Sequence, residues 1–170
     1  PTVTTATTAS HPITLDIYAV NDLHGKLADT DTQPGVDELS TYLKQAQQTG
    51  NTLLLATGDM WQGASESNLT GGFIVTEWMN RLGFAAMTIG GHEFDWGEQQ
   101  IRNNNDLATF PLLGINVYNR STDTQVDYCQ SSVGVEVDGV QIGIIGAIGD
   151  CYSSISPERS RLSAATALSS

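Results

Sequence analysis

The sequence predicts an α/β fold in which a parallel βαβαβαβ half gives way to a β-hairpin. Three observations predict it. Short apolar runs alternate with stretches of helical apolar spacing, the pattern of successive βαβ units. The first three runs are each followed by a polar cluster: Asn21-Asp22-Leu23-His24-Gly25, Gly58-Asp59-Met60-Trp61-Gln62-Gly63 and Gly90-Gly91-His92-Glu93-Phe94-Asp95. Finally, Asp138-Gly139, a strong two-residue turn signal, separates the alternating Val133, Val135 and Val137 from a second apolar run over residues 140–148.

The elements follow in order. Residues 13–20 form the first expected strand, and a polar loop runs on to Gln33. Pro34 suits the first turn of a helix. Val36, Leu39, Leu43 and Ala46 then recur at helical spacing, with Gly50 as the stop. Residues 53–56 are a short second strand. Residues 57–71 read as a long polar loop, a kind often kept for function. A second helix starts near Gly72, buries a stripe of Ile74, Val75, Trp78, Met79 and Leu82, and ends at Gly83. Residues 85–89 are the third strand. A third helix spans about residues 96–107, although Asn103-Asn104-Asn105 are weak helix formers. Phe110-Pro111 ends it, and residues 112–117 are the fourth strand. Asn68-Leu69-Thr70 matches a glycosylation sequon, a pattern frequent by chance, and Trp61, Trp78 and Trp96 read as packing residues.

Composition bounds the function. The formal charge of −12 argues against a nucleic acid polymer as partner, because no basic surface is available to meet its phosphates. It leaves an anionic small substrate open, since bound metal ions reverse the local sign. No run approaches the length of a membrane-spanning helix. Residues 1–12, rich in Thr and Ala, are expected to be a disordered leader of the kind that follows a removed secretion signal, which points to export; residues 13–170 are the folded part. His11 lies in that leader and is expected to be inert. Continuing the hairpin register outward from the turn sets Cys129 opposite Ile148. A short bend would then bring it to Cys151, so a disulfide is expected, with two separate thiols as the alternative.

Parallel strands end on one side of a sheet, and ligands gather beyond their carboxyl ends. Asp22, His24, Asp59 and His92 therefore share one rim. Asp22 and His24 are two apart, so in an extended segment a carboxylate and an imidazole face the same way and hold one ion. Asp59, from the neighbouring loop, has two oxygens with which to bridge two ions. Such mixed oxygen and nitrogen donors suit Zn, Mn or Fe better than Ca. His92 and Asp95, three apart, meet if Glu93 begins a helical turn. The carboxylate then fixes the imidazole tautomer and makes His92 a candidate general acid. The plainer alternatives are a polar loop for Asp22 and His24, and a capping Asp95 beside an incidental histidine.

These clusters resemble the 5'-nucleotidase branch of the calcineurin-like metallophosphoesterases. The match rests on the three clusters, extended by Trp96-Gly97, on Phe110-Pro111-Leu112-Leu113-Gly114-Ile115-Asn116-Val117 and on Gln141-Ile142-Gly143-Ile144-Ile145-Gly146. The resemblance implies part of the four-layer αββα sandwich of that family. It implies two divalent metal ions, with Asp22 and His24 on the first and Asp59 between both, and a His92–Asp95 dyad at the transferring phosphoryl group. The implied substrate is a nucleotide or another phosphate ester, hydrolysed outside the cytoplasm.

Two departures accompany it. The family has Asn before the dyad histidine, as a ligand of the second metal, and here that residue is Gly91. The family also supplies later histidines, and this chain has none after His92. The expectation is therefore an incomplete amino-terminal portion of a catalytic domain, inactive alone. The alternatives are a non-catalytic relative that serves as a binding or surface module, and a member acting on a cyclic or sugar nucleotide.

Overall fold

The computed structural model describes residues 12–31, 34–151 and the backbone of 162–164. Strand β1 (Leu15–Val20) leads through helix α1 (Val36–Thr49) to β2 (Asn51–Ala56). Helices α2 (Ser65–Thr70) and α3 (Phe73–Leu82) then lead to β3 (Ala86–Thr88). A 3-10 turn (His92–Phe94) and α4 (Glu98–Leu107) lead to β4 (Leu112–Leu113). These four strands form one parallel sheet in the order β1-β2-β3-β4, with Val20 beside Ala56, Ala56 beside Met87 and Thr88 beside Leu113. The parallel half is therefore as the alternation of periods predicts. Helix packing supplies the core, in which Leu43, Leu54, Val75, Met79, Met87, Ile101 and Leu112 are buried together.

After β4 the chain changes sheets. Strands β5 (Val117–Asn119) and β6 (Thr124–Gln125) pair antiparallel, and β5 also pairs with β9 (Leu162–Ala164). Strands β7 (Ser132–Val137) and β8 (Val140–Ile145) make the expected hairpin, with Val137 opposite Val140 across Asp138-Gly139. Both turn residues have positive φ, as a two-residue hairpin turn of this kind requires. The whole matches part of a calcineurin-like αββα sandwich.

Four expectations need correction. Residues 112–117 are not one strand: the Gly114 amide donates to the carbonyl of Gln130, and that of Ile115 to Gly146, so the chain leaves the parallel sheet after Leu113. Residues 57–71 are not all loop, since α2 lies inside them and ends on left-handed Gly71. Its sequon residue Asn68 spends both side-chain amide atoms on the backbone of Gly63. The third helix starts at Glu98 rather than Trp96, behind Gly97. Lastly, Cys129 and Cys151 are both free thiols. The hairpin register stops at Ser132–Ile145, and Gln130 turns away to bond the backbone of Leu112 and Gly114. That carries Cys129 into the core beside Gly114, away from Cys151, which lies against Gly91. The expected leader and His11, and the Ser-rich stretch 152–161, lie outside the described residues.

Candidate metal centre

The loops beyond β1 and β2 run side by side. The amide of Thr57 donates to Val20, Asp22 to Gly58, His24 to Asp59 and Gly25 to Met60, at 2.9 to 3.1 Å. Asp22 and His24 are thereby fixed beside Asp59 by backbone alone. The loops beyond β2 and β3 approach more closely still. A Cβ on Gly58 would stand 2.8 Å from the Gly90 Cα, and one on Gly90 would stand 2.5 Å from the Asp59 amide nitrogen. Only glycine permits that approach.

Three of the candidate ligands have left-handed backbones: Asp22 at φ 52°, His24 at φ 49° and Asp59 at φ 56°. Non-glycine residues seldom adopt this conformation, and it collects at functional sites where the surroundings enforce it. The segment from Asp22 to His24 is thus not extended, contrary to expectation. Two left-handed residues flank Leu23, which packs against the core. The side chains still meet, with His24 Nε2 3.8 Å from Asp22 Oδ1.

The ring orientations are set from behind. His24 Nδ1 is 2.9 Å from the carbonyl oxygen of Gln62. A carbonyl only accepts, so Nδ1 carries the proton and Nε2 keeps its lone pair. His92 Nδ1 is 2.8 Å from Asp95 Oδ2, which makes the same assignment there. The 3-10 turn supplies the helical geometry that brings His92 and Asp95 together. The hydrogen bond that His92 donates to Asp95 raises the His92 pKa above the ordinary histidine value, against partial burial, which lowers it. The two rings lie edge to face with centroids 5.1 Å apart.

His24, Asp59 and His92 each offer one ligand atom, and all three atoms lie within 4.8 Å of one another. Two imidazoles with Nδ1 tied back and a carboxylate make a candidate set of nitrogen and oxygen donors for a metal ion. Asp22 sits beside His24 at the edge, its side chain 60% exposed. Among the described residues this is the one such cluster, and a second ion has no comparable set there. Gly91 offers no side chain towards one.

One residue escaped the sequence reading. Glu93 is wholly buried, and its carboxylate accepts from the amides of Asp59, Met60, Trp61 and Gly90. Burial pushes its carboxyl up from the usual range, and the amide bonds pull it part of the way back. A glutamate between His92 and Phe94 carries no mark of this in the sequence, because three of the four amides come from a loop more than thirty residues earlier.

No protein-family model matches the chain. Individual proteins do. It is similar to Protein UshA of Yersinia enterocolitica, 34% identical over 144 residues that cover 80% of this chain and 26% of that protein. The 5'-nucleotidase of Rattus norvegicus is 32% identical over 155 residues, covering 78% of this chain and 26% of that one. In structure the chain is similar to the NAD nucleotidase of Haemophilus influenzae, with a TM-score of 0.72 and 25% identity over 85% of this chain and 28% of that one. The chain thus spans about a quarter of the length of the curated relatives it matches.

Proposed function

We propose, from the premise that this chain belongs to the 5'-nucleotidase/calcineurin-like phosphoesterase superfamily, to which its relatives and structural neighbours consistently point, that it is part of a metal-dependent hydrolase of phosphate esters. Nucleotides hydrolysed in the manner of a 5'-nucleotidase are the substrate class we favour. Residues 13–170 would be the amino-terminal portion of the catalytic domain. The observation that carries the reading is the convergence of His24, Asp59 and His92 at the carboxyl ends of β1, β2 and β3, with left-handed backbone at His24 and Asp59.

In this reading His24 Nε2 and an Asp59 oxygen hold the first ion, with Asp22 completing that side. A bound divalent ion would polarise the phosphoryl oxygens and lower the pKa of a coordinated water. The chain's own residues orient and exchange protons. Gln62 and Asp95 fix the two imidazoles, and a protonated His92 donates to the phosphoryl group or leaving oxygen. The two-metal form and the metal's identity are parts of the proposal. So is work outside the cytoplasm, which the family resemblance supports. Among the described residues no helix is long and apolar enough to cross a membrane.

Gly91 favours a second reading, a relative that keeps the fold and one ion but does not catalyse. Assays of the full-length protein on AMP, a cyclic nucleotide, a sugar nucleotide and an aryl phosphate separate the two, and calorimetric titration of this chain with Mn and Zn tests the ion that both readings share. We expect one ion to bind the chain and Asp59→Ala to abolish binding. Absence of binding to the unaltered chain would overturn both readings.

A further inference from the structure

We propose that Glu93 is the positioning residue of this centre: its buried carboxylate clasps the loop after β2 to the loop after β3 and so sets Asp59 against His92. The proposal rests on the metal reading for its functional consequence, and on geometry alone for the clasp.

The geometry is reciprocal. Glu93 Oε2 accepts from the amides of Asp59, at 2.9 Å, and Gly90, at 2.7 Å. Glu93 Oε1 accepts from Met60, at 2.8 Å, and Trp61, at 3.3 Å. In return Asp59 Oδ1 accepts from the amide of His92, at 2.9 Å. Each loop therefore gives the other a carboxylate, and the two carboxylates belong to residues flanking the same contact. Asp59 to Trp61 present three successive amides to one anion, an arrangement that needs the left-handed turn at Asp59. Burying a carboxylate without partners is costly, and here every named partner is an uncharged amide. The arrangement holds the loops only while four acceptor positions face four donors.

A plain core role would need only a side chain of this shape. Glu93→Gln keeps the shape but turns an NH2 group towards two amide donors, which leaves one pair unsatisfied and repelled. The clasp predicts that in Glu93→Gln the amides of Asp59, Met60, Trp61 and Gly90 lose hydrogen-exchange protection. It also predicts that cobalt(II) affinity falls about tenfold or more, as for other residues that orient metal ligands. Ile101→Ala, in the buried face of α4, provides a control that lowers melting temperature while keeping the Glu93 carboxylate and its four amide donors. All proteins are compared well below their melting temperatures, so that loss of fold does not enter.

Unchanged protection in Glu93→Gln overturns the proposal. So does equal cobalt affinity in Glu93→Gln and the unaltered chain, or an equal loss in Ile101→Ala. If the unaltered chain binds no cobalt while Glu93→Gln still loses protection at those amides, the clasp stands and the metal reading falls. Should Glu93→Gln fail to fold, protection of the same amides in the unaltered chain still decides the clasp: exchange there as fast as in exposed loops overturns it.

Discussion

Cys151 stands against the bare face of Gly91. A Cβ added at position 91 would lie 3.1 Å from Cys151 Cβ and 3.4 Å from its Sγ. Gly91 itself has φ −67° and ψ −40°, an ordinary right-handed backbone that side-chain-bearing residues adopt freely. An asparagine there would meet the Cys151 side chain and not a disallowed chain conformation. Gly91→Asn should lower stability by about 1–3 kcal/mol through overpacking. In a Cys151→Gly background that cost should shrink, with a coupling of about 0.5 kcal/mol or more between the two sites. Any gain in affinity for a second metal should likewise appear in the double variant first. Melting and metal titration across the four proteins check this, and strictly additive effects would refute it.

Asp22 offers a test of function held at the expense of stability. It is left-handed at φ 52°, its side chain is mostly exposed, and its amide bond to Gly58 is made by backbone. Asp22→Gly removes the strain and the carboxylate while keeping that bond. Without metal, the variant should melt at the same temperature or higher, with up to about 1 kcal/mol gained. With Mn or Zn present it should lose the stabilisation that ligand binding confers on the unaltered chain. A clear drop in melting temperature with a chelator present would show that Asp22 serves the fold instead.

The parallel half was legible because its information is local. Apolar runs, helical stripes and stop glycines mark β1 to β4 and their crossovers, and parallel order then brings Asp22, His24, Asp59 and His92 to one rim. What stayed hidden depends on partners distant in sequence. Gly114 ends β4 because Gln130 and Gly146 claim the adjoining amides. Helix α2 has no apolar stripe: Leu69 is exposed, and Ser67 is the residue it buries. Glu93 reads only as the start of a helical turn until the amides of Asp59 to Trp61 are folded over it. The expected disulfide failed for the same reason, since the departure of Gln130 from the hairpin is decided by β4.

The thiols should differ in reactivity. Cys129 is buried, and burial pushes its thiol up to about 12. Cys151 is half-buried, and its thiol is also raised, chiefly by burial. Nucleophilic attack needs the thiolate and access. Alkylation of the native protein at neutral pH should therefore be slow overall, with Cys151 modified first and Cys129 only on unfolding. Peptide mass spectrometry of unreduced protein should recover both cysteines alkylated after denaturation. A linked Cys129–Cys151 peptide would contradict the structure.

The His92–Asp95 pair carries the pH dependence. Its hydrogen bond raises the folded His92 pKa above the unfolded value of about 6.5, and the charges of Asp95, Asp59 and Glu93 act in the same direction. A raised histidine stabilises the fold when protonated. That contribution is complete below the unfolded pKa and is lost as pH rises through the folded one. Asp95→Asn should therefore lower the His92 pKa, and its deficit in melting temperature should be largest under mildly acidic conditions and shrink as pH rises. NMR titration of the His92 ring without metal reads the pKa directly. The same titration with diamagnetic Zn added distinguishes the two roles open to His92. As a ligand, Nε2 would be claimed by the ion, and the ring would cease to protonate until the pH fell far enough to expel it. As the acid of a dyad, His92 would keep a titration of its own with the site filled. Retention of that step, moved to lower pH in Asp95→Asn, is the expected result; a ring that no longer titrates when Zn is bound would move His92 from the proton-transfer role to the ligand set.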